Sequence, residues 1–363
     1  MVTDVQRAPA ERRFADELQR LEAVDKEPKP KGWRLSPRAV RRFILGDKAA
    51  NVSQKFFGDD PLIDRCIVSL MGHQGLMLVG EPGTAKSQLS ELLAAAISSD
   101  SNLVVQGSAG VIEDHLRYGW NYALLLAEGP SERALVPSPV LNAMRMGKIV
   151  RVEELTRCAP EVQDALISLM SEKTIAIPEL GPGAESRAAP GFNVIGTANL
   201  RDRGVHDMSS ALKRRFNFET VHPIADAAFE KELVAKQVAE RMADHTIKPG
   251  LGDEVLDLVV SVFRDLRTGT TSEGASVAQP NSVMSTAEAV NVAHAAALDA
   301  AYLDAGKMSG EHVARQIRGV VFKDDPEDAR KFRAYLDHIA KARAKRSKAW
   351  SDFYTAAKKN LNV

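Results

Sequence analysis

The octapeptide Gly80-Glu81-Pro82-Gly83-Thr84-Ala85-Lys86-Ser87 constrains this chain more than any other stretch. The apolar run Leu76-Met77-Leu78-Val79 precedes it, and Gln88 to Ile97 follows with the leucines and alanines of a helix. Strand, glycine-rich loop and helix in this order bring backbone N–H groups and a helix N-terminus together around an anion. The stretch therefore reads as a phosphate-binding loop, with Lys86 directed at β- and γ-phosphates and the Ser87 hydroxyl at Mg2+. A plain Gly/Pro-rich turn is the alternative, and the Lys-Ser ending argues against it. The residue before Lys86 is Ala85 where glycine is usual, and its methyl is expected to fit only if φ stays negative.

At 363 residues, 44% of them hydrophobic, the chain has material for two cores and extensions. Lys+Arg and Asp+Glu are equal at 48 each. That balance disfavours a chain that lives on nucleic acid, which usually carries a basic excess. Cys66 and Cys158 form neither a disulfide framework nor a metal spacing and read as buried thiols in a reducing compartment. Met1 to Glu11 lacks the apolar core of a signal peptide, and no apolar run reaches membrane-spanning length. A cytoplasmic protein without a membrane partner is expected.

Four regions are expected. Residues 1–49 read as an N-terminal helical extension and linker, with Phe14, Leu18 and Leu21 on one helix face and the Pro/Lys segment Lys26–Lys31 after it. Residues 50–222 alternate strands and helices, with strands at Leu76–Val79, Leu103–Gln106, Ile149–Val152, Phe192–Thr197 and Phe218–Val221. Such alternation predicts an α/β domain, a mainly parallel sheet sandwiched by helices. A short strand at Thr174–Pro178 and the turn Gly181-Pro182-Gly183 predict a projecting hairpin. Residues 223–310 read as a smaller all-α domain, in which Ser285-Thr286-Ala287-Glu288 has the form of a capping box. Residues 311–363 read as a helical tail whose charge run Lys341–Lys348 is expected to be a solvated face.

Phosphate binding alone is not hydrolysis, which also needs a metal ligand, a group that orients water and a charge on the γ-phosphate. The strand Ile149-Val150-Arg151-Val152 ends in Glu153-Glu154. Side chains alternate along a strand, so Glu153 can face the metal shell while Glu154 polarises the attacking water. An exposed acidic turn is the alternative. Asn199 closes the strand-like run Phe192 to Ala198 and can bridge γ-phosphate and water, although turn-forming Asn is common at strand ends. The stretch Ala211-Leu212-Lys213-Arg214-Arg215-Phe216 can donate a guanidinium to a neighbouring subunit's γ-phosphate, and ordinary surface charge is the alternative.

Together these stretches resemble the AAA+ ATPases, and within them the MoxR family. The loop with Ala85 before Lys86 is similar to that family's phosphate loop, and to that of archaeal and eukaryotic replicative helicases. Arg157-Cys158-Ala159-Pro160 through Gln163-Asp164-Ala165-Leu166 is similar to the MoxR stretch after its acidic pair, with Thr156 where Asn is usual. Gly196-Thr197-Ala198-Asn199 resembles sensor 1, and Arg215 immediately before Phe216 resembles the arginine finger, with Arg214 the second choice. The resemblance covers about residues 52–222 well and the helical domain loosely. It implies a P-loop NTPase core with a helical lid, ATP and Mg2+ as ligands, and a helix-2 insertion near Gly110–Pro139. It further implies a homo-oligomer, usually a hexameric ring, that remodels protein partners, often with a partner carrying a von Willebrand factor A domain. Glu153 stands where Asp is usual, and Ala287 where the sensor 2 Arg is usual.

Three functions follow as expectations. The first is an ATP hydrolase that remodels or activates a protein partner. The second is a nucleotide-binding scaffold or switch with little turnover, supported by the departures at Ala85, Glu153 and Ala287. The third is a DNA motor, which the zero net charge opposes.

Overall fold

The structure, a computed structural model, describes residues 7–199, 204–243, 245–282, 284–304, 306–321 and 325–360. One compact unit runs to His222 and a second from Pro223, with the loop residues Pro82–Thr84 counted in the second.

The first unit contains, in chain order, α1 (Ala10–Arg13), α2 (Ala15–Val24), α3 (Pro37–Leu45), α4 (Asp60–Met71), β1 (Gly75–Val79), α5 (Lys86–Ser98), β2 (Val104–Gln106), β3 (Tyr118–Trp120), α6 (Tyr122–Glu128) and β4 (Leu135–Pro137). It continues with α7 (Pro139–Met146), β5 (Ile149–Glu153), α8 (Pro160–Glu172), β6 (Thr174–Ala176), β7 (Glu185–Arg187), β8 (Asn193–Ala198), α9 (Ser210–Lys213) and β9 (Phe216–Thr220). Five strands form a parallel sheet in the order β2-β5-β8-β1-β9, as the alternation predicts. β1, β5 and β8 are buried along their whole length. That is why they read as near-continuous apolar runs: a parallel strand is covered on both faces.

Alternation within β1 divides the core in two. Leu76 and Leu78 pack with Leu18, Phe43, Ile63 and Leu92, while Met77 and Val79 pack with Leu141, Val150, Val152 and Leu166. α2 and α3 thus belong to the core of this unit, and the expected boundary at 49/50 separates no second core. Arg7 and Arg13 also reach the buried Glu91 of α5, at 2.8 and 2.9 Å. The expected hairpin is present as antiparallel β6 and β7. The expected insertion holds a second ribbon, β3 with β4, and between them α6, which has no buried residue.

The second unit is helical among the described residues: α10 (Ala227–Arg241), α11 (Asp253–Thr268), α12 (Thr286–Tyr302), α13 (Gly310–Val321), α14 (Pro326–Tyr335), a π-helical turn at Leu336–Ala340, α15 (Lys341–Arg343) and α16 (Lys348–Asn360). The capping box is formed, Ser285 accepting from the Glu288 N–H while the Glu288 carboxylate accepts from the Ser285 N–H. The expected tail does not stand apart. Ile317, Phe332 and Phe353 share one core with Val259, Phe263 and Ala293. Gly310 permits the closest approach, because a Cβ there would lie 2.0 Å from the Ala349 carbonyl oxygen. No helix among the described residues is long and apolar enough to cross a membrane.

Candidate nucleotide site

The C-terminal ends of β1, β5 and β8 lie side by side, because register pairs Leu78 with Thr197 and Val79 with Ala198, and Val152 with Gly196. The residues that leave those ends are Gly80, Glu154 and Asn199. The three separate sequence expectations are therefore neighbours on one sheet edge. Glu81, Pro82, Gly83 and Thr84 carry the chain from that edge to α5, with Gly83 at φ +75°.

Ala85 corrects the expectation made for it. Its φ is +66°, in the left-handed region, and it stands as the N-cap of α5. A methyl there is strained but tolerated. The turn that swings the chain into α5 sets this backbone angle, and the partly buried side chain packs against the core that holds Leu76, Leu78 and Leu92.

Lys86 is 6% exposed and folds back over the loop, donating to the carbonyl oxygens of Gly80 (3.0 Å) and Glu81 (2.7 Å). Burial pushes its ammonium below the ordinary lysine range, and the charges of Glu154, Glu153 and Glu81 oppose that shift.

Glu153 is the most fully engaged carboxylate of the site. Its Oε2 accepts from Ser87 Oγ (2.6 Å) and Thr197 Oγ1 (2.7 Å). Its Oε1 accepts from Ser90 Oγ (2.6 Å) and Arg151 Nη2 (2.7 Å). Burial would raise its pKa; the Arg151 guanidinium and the three hydroxyls outweigh burial and hold it below the usual range. Ser87 and Glu153 thus place hard oxygen donors together. Among the described residues no group of three or more His, Cys, Asp or Glu could hold a metal. A donor pair of this kind suits Mg2+ shared with phosphate oxygens better than an all-protein metal cage.

Glu154 differs from its neighbour. It sits at φ +52°, and its N–H donates to Thr197 Oγ1 (3.0 Å). Its Oε2 is buried and has no hydrogen bond among the described residues, with Arg157 Nε 3.5 Å away. Gly107 allows this turn, since a Cβ there would lie 2.3 Å from the Glu154 carbonyl oxygen.

Asn199 is 4% exposed at the end of β8. Arg215 is elsewhere. Its carbonyl oxygen accepts from Gly75 N–H (2.8 Å) at the start of β1, so the length of that strand, about 16 Å, separates it from Gly80. Its guanidinium donates to Ser171 Oγ (3.0 Å) and the Ala211 carbonyl (2.9 Å).

The residues not anticipated are Arg151, Ser90 and Thr197. Arg151 carried a signal: a charge two positions before Glu153 in an apolar strand shares its face. Ser90 follows Ser87 by one helical turn. Thr197 lay within the stretch that resembles sensor 1, but nothing there assigned its hydroxyl a contact.

Residues 75–216 match the family described as AAA domain (dynein-related subfamily), and residues 228–360 match the YehL-like AAA+ ATPase C-terminal domain. The uncharacterized protein YehL of Escherichia coli (strain K12) is 48% identical over 353 residues, 97% of either chain. The uncharacterized protein SH1500 of Staphylococcus haemolyticus (strain JCSC1435) is 27% identical over 196 residues, 54% of this chain and 69% of its own. Among solved structures, the Thermotoga maritima RuvB Holliday junction branch migration motor aligns over 84% of this chain and 88% of its own, at 14% identity and TM-score 0.45. NtrX from Brucella abortus in complex with ADP aligns over 83% and 64%, at 12% identity and TM-score 0.46.

Proposed function

Because the chain belongs to the YehL-like AAA+ ATPase family, we propose that it hydrolyses ATP at the Gly80–Ser87 loop and couples turnover to remodelling or activation of a protein partner, as MoxR-type ATPases do. The observation that carries the hydrolytic part is the division of labour between adjacent carboxylates. Glu153 is saturated with hydrogen bonds, whereas Glu154 Oε2 accepts no hydrogen bond among the described residues and has only a longer ion pair, to Arg157 Nε at 3.5 Å.

Each side chain has a distinct task in this reading. Lys86 exchanges its loop carbonyls for phosphate oxygens and supplies positive charge. Glu154 accepts a hydrogen bond from the attacking water and turns its oxygen toward the γ-phosphorus. Asn199 holds water and γ-phosphate by its amide. As the water oxygen bonds to phosphorus, the bond to the β-phosphate bridging oxygen breaks, yielding ADP and inorganic phosphate. Mg2+, when bound beside Ser87 and Glu153, would offset charge on the β- and γ-phosphates. Arg215 acts on a neighbouring subunit's site in a homo-oligomeric ring, which we take to be hexameric. The partner is a protein substrate or adaptor in the cytoplasm, with one carrying a von Willebrand factor A domain as the first candidate to test.

The second reading, a nucleotide switch with little turnover, draws on Ala287 at the start of α12, where a closing arginine is usual. A phosphate-release assay on the wild type and Glu154→Gln separates the two. Hydrolysis predicts that Glu154→Gln retains ATP binding and loses about a hundredfold or more in rate. A wild type that binds ATP and releases no phosphate favours the switch.

A further inference from the structure

Arg151 is a charged residue in the middle of a strand that is buried throughout. All three of its nitrogens donate hydrogen bonds. Nε donates to Ser90 Oγ (2.9 Å) and Glu153 Oε1 (3.1 Å), Nη2 to Glu153 Oε1 (2.7 Å) and the Ser87 carbonyl (3.2 Å), and Nη1 to the Ser101 carbonyl (2.9 Å). One side chain thus ties the carboxylate to the first turns of α5 and to the segment that follows it.

Fold stability does not explain this arrangement. A well-packed aliphatic residue usually serves a buried strand position at least as well as an ion pair, whose desolvation offsets its attraction. The chemistry of Glu153 does. A glutamate has one more side-chain torsion than an aspartate, and each free torsion is a rotamer choice that must be suppressed if the carboxylate is to present one oxygen in one place. The Arg151 fork grips Oε1 from one side, and Ser90 adds a second hold on the same oxygen. Oε2 is left facing Ser87 Oγ at 2.6 Å, with Thr197 Oγ1 also donating to it at 2.7 Å.

We propose that Arg151 is a positioning residue that locks Glu153 so that Oε2 and Ser87 Oγ form a preorganised pair of oxygens for the Mg2+ that accompanies the nucleotide. The proposal rests on the reading of this site as a Mg2+–nucleotide site. It assigns Arg151 and Ser90 the task of compensating for glutamate in place of aspartate.

The test is a Mg2+ titration of fluorescent ATP-analogue binding, with a parallel measurement in EDTA, on the wild type, Arg151→Lys, Glu153→Gln and the double variant. Lysine keeps the charge but loses the two-pronged grip. Arg151→Lys is expected to raise the Mg2+ concentration for half-maximal binding about tenfold, as loss of a residue supporting a metal ligand does. Its affinity in EDTA should match the wild type, and it should add nothing in the Glu153→Gln background. Ser90→Ala, which removes a smaller group, should raise the Mg2+ requirement about threefold and serves if Arg151→Lys folds poorly. A lowered melting temperature with an unchanged Mg2+ midpoint in both variants would make Arg151 merely structural and overturn the proposal. An equal shift in the Glu153→Gln background would overturn it as well. If Glu153→Gln alone leaves the Mg2+ midpoint unmoved, the metal assignment itself fails and takes the proposal with it, which is a different result from the first two.

Discussion

Two non-glycine residues of the site, Ala85 and Glu154, hold left-handed backbone angles. A left-handed conformation costs an L-residue roughly 1–2 kcal/mol. The surrounding loops over-determine both positions, and the strain falls beside the residues that would meet phosphate and water. For Ala85 this has a measurable consequence. Glycine would relieve the strain, lose the partial burial of one methyl and raise the entropy of the unfolded chain by roughly 0.5–1 kcal/mol. Ala85→Gly should therefore be neutral or stabilising by about 0.5 kcal/mol, whereas Ala85→Val should cost about 2 kcal/mol, since β-branched residues resist this region most strongly. Urea unfolding of the two variants checks the order; a stable valine variant would contradict it.

Elements in the helical unit are joined by buried ion pairs as much as by the alanine-rich packing of α12. Glu230 of α10 has no exposure and receives Arg264 and Arg267 from α11 and the Thr286 hydroxyl from α12. Arg343 plays the same part for the C-terminal helices. It reaches Asp265 of α11 at 2.7 Å and Glu273 at 2.6 Å, and lies 4.8 Å over the Trp350 ring. The Tyr335 hydroxyl donates to the same Asp265 oxygen at 2.9 Å. Burial raises the Asp265 pKa, and the Arg343 charge opposes that rise. The charge run expected to be a solvated face is thus solvated at Lys341, Lys345 and Arg346 but anchored inward at Arg343. Removing one partner of a buried pair leaves the other uncompensated, so Arg343→Met should destabilise the protein by about 3 kcal/mol. Lys345→Met, on the exposed side, should stay within about 0.5 kcal/mol. Thermal or urea melts of the two variants check the contrast, and equal losses would refute it.

At the scale of the whole molecule, the distance along β1 between Gly80 and the Arg215 end of the sheet makes action within one chain unsuitable. Under the ring reading, a head-to-tail interface repeated around an axis gives each site the next subunit's Arg215. Arg215→Ala should then bind ATP normally and hydrolyse it poorly. A mixture of Arg215→Ala with Lys86→Ala chains should regain part of the activity, because some interfaces combine an intact loop with an intact arginine. A finger is worth roughly a thousandfold or more in rate, so even a minority of such interfaces is measurable. If mixed assemblies form and stay as inactive as their components, the action in trans is refuted.

The parts of this protein legible in its residues alone are those whose cause is local. The Gly80–Ser87 loop lies between an apolar strand and a helix that its own neighbours specify, β1 announces itself as a continuous apolar run, and the Ser285–Glu288 box needs only four consecutive residues. The strand ends that carry the acidic pair and Asn199 were legible for the same reason, as places where a strand gives way to polar residues. Tertiary structure alone decided the rest. Ala85 takes its left-handed angle because the turn into α5 imposes it, against its own preference. Arg151 meets Ser90 across 61 positions of sequence, Glu153 meets Ser87 across 66, and Arg343 meets Asp265 across 78. The boundaries at 49/50 and 310/311 dissolved in the same way, because a segment joins a core through partners distant in the chain. Periodicity marks which face of a helix is apolar; it carries no record of what that face will meet.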